Sequence, residues 1–73
     1  MNITITYCVP WNFLQKAASL AAKIKEAYEI EAELIEGGNG IFDIAVDGKL
    51  IYSKLETGVF PDENDIIKAI NEI

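Results

Sequence analysis

With 73 residues, the chain has room for one hydrophobic core and no second. A chain this short buries only about 60% of the surface its unfolded form exposes, so one domain of modest stability is expected over residues 1–73. Six Lys and Arg against twelve Asp and Glu give a net charge of −6, a surface that repels phosphate backbones and anionic lipid and argues against nucleic-acid and membrane roles.

Hydrophobic residues make up 51% and charged residues 25% of the chain, a globular balance. No apolar run approaches the ~18 residues of a transmembrane helix. The N-terminus lacks the basic segment and cleavage site of a signal peptide, and a lone cysteine forbids an internal disulfide, so a cytoplasmic setting is expected. Histidine is absent. That removes imidazole acid–base catalysis and leaves no ligand set for zinc, so no metal site is expected.

In chain order, Ile3, Ile5 and Tyr7 alternate with Asn2, Thr4 and Thr6, the pattern of a half-buried strand. Pro10 suits a loop or the first turn of a helix. From Trp11 the period changes: Phe13, Ala17, Leu20, Ala21, Ile24, Ala27 and Tyr28 mark one apolar helix face. Ile30, Ala32 and Leu34 alternate with Glu31 and Glu33, which predicts a second strand with one wet face. Glu26, Glu29, Glu31, Glu33 and Glu36 fall within eleven residues; they read as a solvated rim or as a docking face for a basic partner.

Gly37-Gly38-Asn39-Gly40 ends that strand. Because this loop runs into another strand rather than a helix, it does not read as a phosphate cradle. Ile41 to Val46 forms a third strand, Asp47-Gly48 a two-residue hairpin turn, and Lys49 to Lys54 the returning fourth strand. A loop from Glu56 to Pro61 leads to a last helix carrying Ile66, Ile67, Ile70 and Ile73. Phe60 is expected to pack under that helix. Asp62 reads as its N-cap and Asp62 with Asp65 as a capping box; the acidic run there lacks the spacing of a calcium loop.

The order β-α-β-β-β-α predicts a mixed α/β fold: a four-stranded mixed sheet with two helices, the first βαβ unit parallel and the hairpin antiparallel. If both helices cover the Ile3/Ile5/Tyr7 side, the Thr4/Thr6 side faces solvent, with a modest apolar patch suited to a weak dimer contact. Monomer and weak dimer both remain open.

Cys8, the only cysteine, lies at the end of the first strand and before the first helix. A thiolate at such a junction is stabilised by free backbone N–H groups and the positive helix end. The competing reading is a buried structural cysteine.

The stretches "ITYCVPWNFLQKAASLA" and "GGNGIFDIAVDGKLIYSKLETGVFP", with the closing helix, resemble the selenoprotein W-like (Rdx, SelT/SelW/SelH) family of small thioredoxin-fold proteins. The resemblance covers nearly the whole chain and implies a thioredoxin-like sheet with a redox site. Cys8 matches the first position of the family's Cys-x-x-Cys or Cys-x-x-selenocysteine motif, flanked by Tyr7, Val9, Pro10 and Asn12. The second position holds Trp11, which can neither attack a disulfide nor form one. The resemblance also implies that Gly40 and Ile41 line the approach to Cys8, where a glycine lets a partner's backbone come close.

Two functions follow. Either Cys8 is a monothiol whose mixed disulfides are resolved by glutathione or another external thiol, with no bound cofactor, or the fold is a protein-interaction module with Trp11 as its exposed anchor. The partner is a small thiol in the first case and a protein in the second.

Overall fold

The computed structural model describes residues 1–73. Its elements are β1 (Ile3–Cys8), α1 (Leu14–Tyr28), β2 (Glu33–Gly37), β3 (Phe42–Val46), β4 (Lys49–Ser53), α2 (Lys54–Thr57) and α3 (Glu63–Asn71). The strands form one mixed sheet in the order β2-β1-β3-β4. β1 is parallel to β2 and antiparallel to β3, and β4 is antiparallel to β3.

Period-2 alternation sends Ile3, Ile5 and Tyr7 of β1 to one face, where they meet Phe42, Ile44 and Val46 of β3. Ala17, Leu20 and Ile24 of α1 and Ile66 and Ile70 of α3 complete the same buried cluster. Both long helices therefore lie on one side of the sheet, and Thr4 and Thr6 occupy the other. Register places Ile35 beside Thr6, and Ala45 with Leu50 beside Thr4. Ile35 and Leu50 are the exposed apolar side chains of that open face.

Several boundaries differ from the sequence reading, each for a local reason. Ile30 and Ala32 pack against the core without entering a strand, because pairing begins at Thr4 opposite Glu33. α1 starts at Leu14 rather than Trp11, since Asn12 adopts a left-handed conformation (φ 59°) that no helix continues through. Ala27 is exposed, off the apolar face. Ile41 precedes β3 instead of opening it. Lys54 leaves β4 to begin the one-turn helix α2, which Gly58 closes at φ 82°, its N–H donating to the Lys54 carbonyl. There are thus three helices, not two, though α2 buries nothing. Ile73 lies past the end of α3 and is exposed.

Asp47 and Gly48 sit at φ 52° and 84°, as the two-residue hairpin requires. Next to it, the β3–β4 ladder shifts register between Ile44 and Ala45: Ile44 pairs with Tyr52 but Ala45 with Leu50. The shift is a bulge that lets the consecutive Ile51 and Tyr52 both pack on the core, which strict alternation forbids. Tyr28 Oη donates to the Ile67 carbonyl at 2.9 Å and fastens α1 to α3.

Asp62 does cap α3, its carboxylate accepting from the Asn64 N–H at 2.8 Å. Asp65 makes no return bond to the Asp62 N–H, so the box is half formed; aspartate is one methylene shorter than the glutamate that usually spans that gap. Replacing Asp62 with Ala should therefore cost about 1 kcal/mol, a fall of roughly 4–8 °C in Tm for a domain of this size. Asp65→Ala should stay within about 0.5 kcal/mol. Thermal unfolding of the two variants checks both values, and equal losses would restore the full box.

Candidate functional site

The strand directions bring the ends of β1, β2 and β4 and the start of β3 to one edge of the molecule. Three connections leave from that edge: residues 9–13, residues 38–41, and α2 with the segment down to Pro61. Cys8 stands in the middle. It is the last residue of the inner strand β1, opposite Gly37, and has no exposed surface. Although buried, it lies outside the main core cluster.

The turn after Cys8 is built from backbone donors. The Val9 N–H donates to the Gly37 carbonyl at 3.1 Å, the Asn12 N–H to the Val9 carbonyl at 2.9 Å and the Phe13 N–H to the Cys8 carbonyl at 3.0 Å. The Trp11 N–H donates to Cys8 Sγ at 3.3 Å. The sequence places Cys8 directly against a helix start. In the structure α1 begins only at Leu14, and the donor at the sulfur is an amide of the intervening turn. Of the flanking residues, Tyr7 belongs to the core, while Val9, Pro10 and Asn12 are exposed.

Trp11 has most of its surface in solvent (61% exposed), yet part of its ring lies on Gly40. A Cβ at Gly40 would sit 2.5 Å from Trp11 Cζ3 and 2.9 Å from Cε3, at a φ of +75° that L side chains avoid. The room expected at Gly40 for a partner's backbone is filled by the chain's own tryptophan. The opposite end of the same loop is held in a similar way. Ile41 Cγ2 lies 2.7 Å from where a Cβ on Gly37 would be, with the Thr6 methyl at 3.1 Å. Two bare glycines thus let the 38–41 loop close on the residues around Cys8.

Aromatic packing continues away from Trp11. Its ring meets Phe13 edge-on at 6.0 Å, Phe13 meets Phe60 at 4.7 Å, and Phe60 meets Phe42 at 5.3 Å. Phe60 therefore packs between the start of α1 and β3 rather than simply under α3. Lys16 Nζ lies 5.1 Å from the Phe60 centroid, and Lys54 Nζ lies 5.2 Å from Phe60 and 5.5 Å from Phe13. A cleft of about 130 Å³ opens between Lys16, Leu20, Phe42, Phe60, Pro61 and Glu63. Sequence reasoning misses this cluster because Phe13 and Phe60 are far apart along the chain and neither sits in a motif that pairs them. No group of three or more His, Cys, Asp or Glu side chains is arranged to hold a metal ion.

Chemically, the site offers a thiol shielded from solvent, one amide directed at it, and a tryptophan over the neighbouring loop. Gly40→Ala should force the Trp11 ring away and strain the backbone, at a cost of about 1–3 kcal/mol. A changed Trp11 emission spectrum and faster alkylation of Cys8 should accompany that loss. Gly38 has open space around its Cα, so Gly38→Ala should leave both readouts at wild-type values. Equal effects of the two substitutions would remove the ring contact from the account.

Comparison with known proteins agrees with this architecture. Selenoprotein W-related protein from Vibrio cholerae superposes with a TM-score of 0.91, covering 97% of this chain and 92% of that one at 23% identity. A protein from Bordetella parapertussis gives 0.90 at 23% identity, covering 97% and 94%. At such identities the likeness establishes the thioredoxin-like fold. In sequence, the chain is 45% identical to migration and invasion enhancer 1 of Bos taurus and 44% identical to that of Mus musculus. Each match covers 96% of this chain and 62% of the relative, so the chain spans less than two thirds of those proteins' length. The Rdx family model matches residues 2–72, and the chain belongs to the Rdx family.

Proposed function

We propose that the protein is a thiol-redox member of its family working with one sulfur, Cys8. The observation that carries this reading is the Trp11 N–H directed at Cys8 Sγ, a polar contact at a buried sulfur that packing alone does not call for. In the reaction, the Cys8 thiolate attacks one sulfur of an external disulfide, forming a Cys8 mixed disulfide and releasing the other sulfur as a thiolate. A second external thiolate, of the glutathione class, then attacks the mixed disulfide. Cys8 leaves as thiolate and the two external groups depart joined as a disulfide. No internal sulfur can perform that second step, since Trp11 stands at the motif's other position.

Cys8 has no exposed surface, so its encounter with a disulfide requires the 9–12 turn to open. Local opening of an exposed turn costs far less than global unfolding. A cytoplasmic setting belongs to the same reading, because a reducing compartment supplies the resolving thiol; no helix is long and apolar enough to cross a membrane.

A second reading, an interaction module without redox activity, is favoured by one specific observation. Val9, Trp11, Leu14, Leu55 and Val59 are five of the nine large hydrophobic residues left exposed, and all belong to the loops and helix starts at this edge. A surface tryptophan among apolar neighbours has the composition of a binding hot spot.

The redox reading is tested by incubating the folded protein with oxidised glutathione and weighing the product by mass spectrometry. One glutathionyl adduct should form, be removed by reduced glutathione and be absent in Cys8→Ser. Formation of the adduct only in denaturant would end the redox reading and leave Cys8 as a structural residue.

A further inference from the structure

We propose that the surface around Trp11 and Phe13 docks an extended, acidic segment of a partner protein, with Lys16 and Lys54 receiving its carboxylates. This rests on the reading of Trp11 as an interaction anchor and names the chemistry of what it anchors. The apolar part is continuous: Trp11 touches Phe13, Phe13 touches Phe60, and the exposed Leu14 and Val59 adjoin those rings in sequence.

The charged part is more informative. Lys16 and Lys54 approach the same Phe60 ring from different helices and stand no farther apart than about 10 Å. Neither makes an ion pair. The chain's one salt bridge joins Lys25 to Glu31 at the far end of α1. Glu63 lines the same cleft as Lys16 and accepts from the Ser19 hydroxyl at 2.6 Å, keeping its charge and pairing with neither ammonium group. Lys23, Lys49 and Lys68 are likewise without an ion pair; what sets Lys16 and Lys54 apart is that both ammonium groups lie against the same aromatic ring.

That arrangement selects carboxylates over other partners. A basic segment would meet two like charges beside the apolar surface. A neutral apolar segment would leave both ammonium groups beside it without a counter-charge. In an extended strand, alternate side chains lie on one face at a spacing of about 7 Å, within the span of the two lysines, and the residue between them can turn away or pack at the rim. The net charge of −6 opposes an acidic partner at long range. At physiological ionic strength that opposition fades beyond a Debye length of about 8 Å, and at contact the two lysines outnumber Glu63, the one acid lining the cleft.

The test uses the full chain and the peptide acetyl-Glu-Phe-Glu-Phe-Glu-amide, followed by Trp11 fluorescence and calorimetry. Its Gln and Lys counterparts, with every Glu replaced, serve as comparisons. The acidic peptide should bind most tightly, and Lys16→Gln and Lys54→Gln should each weaken it about threefold. Both variants should stay folded at the assay temperature, with Tm falling by no more than the loss of one lysine's aromatic contacts. Raising ionic strength from about 0.01 M to about 1 M should weaken the acidic peptide and spare the Gln peptide. Equal binding of the acidic and Gln peptides would overturn the carboxylate assignment while the Trp11 anchor stands. Tighter binding of the Lys peptide would overturn it as well. Binding of the acidic peptide that survives Trp11→Ala unchanged would overturn the anchor itself.

Discussion

Everything at the candidate site depends on β1 being hydrogen-bonded along both edges. Its parallel partner β2 ends at Gly37 beside Cys8, and its antiparallel partner β3 begins one residue after Ile41. Two strands running opposite ways therefore deliver the end of one and the start of the other to the same point. The loop joining them is only residues 38–41, held by the Ile41 N–H on the Gly38 carbonyl at 3.1 Å. A tight loop beside the end of an inner strand leaves little space, and bare glycines at 37 and 40 are what allow the chain to pass.

Placing both long helices on one side of the sheet has a second consequence. α1 must return across the sheet to start β2, so its first turn lies at the Cys8 edge and its last turn at the other. α3 begins at the same edge, after Phe60 and Pro61. The starts of two helices and the segment feeding α3 thus crowd one corner, and Phe13, Phe42 and Phe60 fill it with edge-to-face contacts. Lys16 and Lys54 reach this corner because one lies on the first turn of α1 and the other opens α2. Their ammonium groups lie within about 5.5 Å of the ring centroids, at the distance of a cation–π contact.

Much of the fold was legible in the residues. Alternation in Ile3-Thr4-Ile5-Thr6-Tyr7, the three- and four-residue steps through Ala17, Leu20 and Ile24, and Asp47-Gly48 each carry a local physical signal, and each element formed where that signal lies. Boundaries were less legible, because they depend on partners. Ile30 and Ala32 have strand-like alternation but no opposite residue, and Ile51 with Tyr52 break alternation because a bulge admits both to the core. At the site, the motif position of Cys8 could be read and the family resemblance named Gly40 and Ile41 as its neighbours, but the side-chain packing around them could not be read. No one-dimensional pattern connects Trp11 to Gly40, or Phe13 to Phe60. The glycine at 40 was visible as a gap, and only the packed structure shows what fills it.

The two functional readings meet in a single residue. The backbone of Trp11 supplies the N–H at Cys8 Sγ, and its side chain lies on Gly40 while most of the ring faces solvent. These are not independent contacts, for the turn 9–12 is short and its amides are committed to Cys8, Val9 and Gly37. The indole ring and the amide at the sulfur therefore belong to one residue of a single short turn. At the motif position where a dithiol site carries its second sulfur, this chain has an apolar ring beside Gly40 and, on the same residue, the amide at Cys8 Sγ. Any movement of the turn thus changes both contacts together.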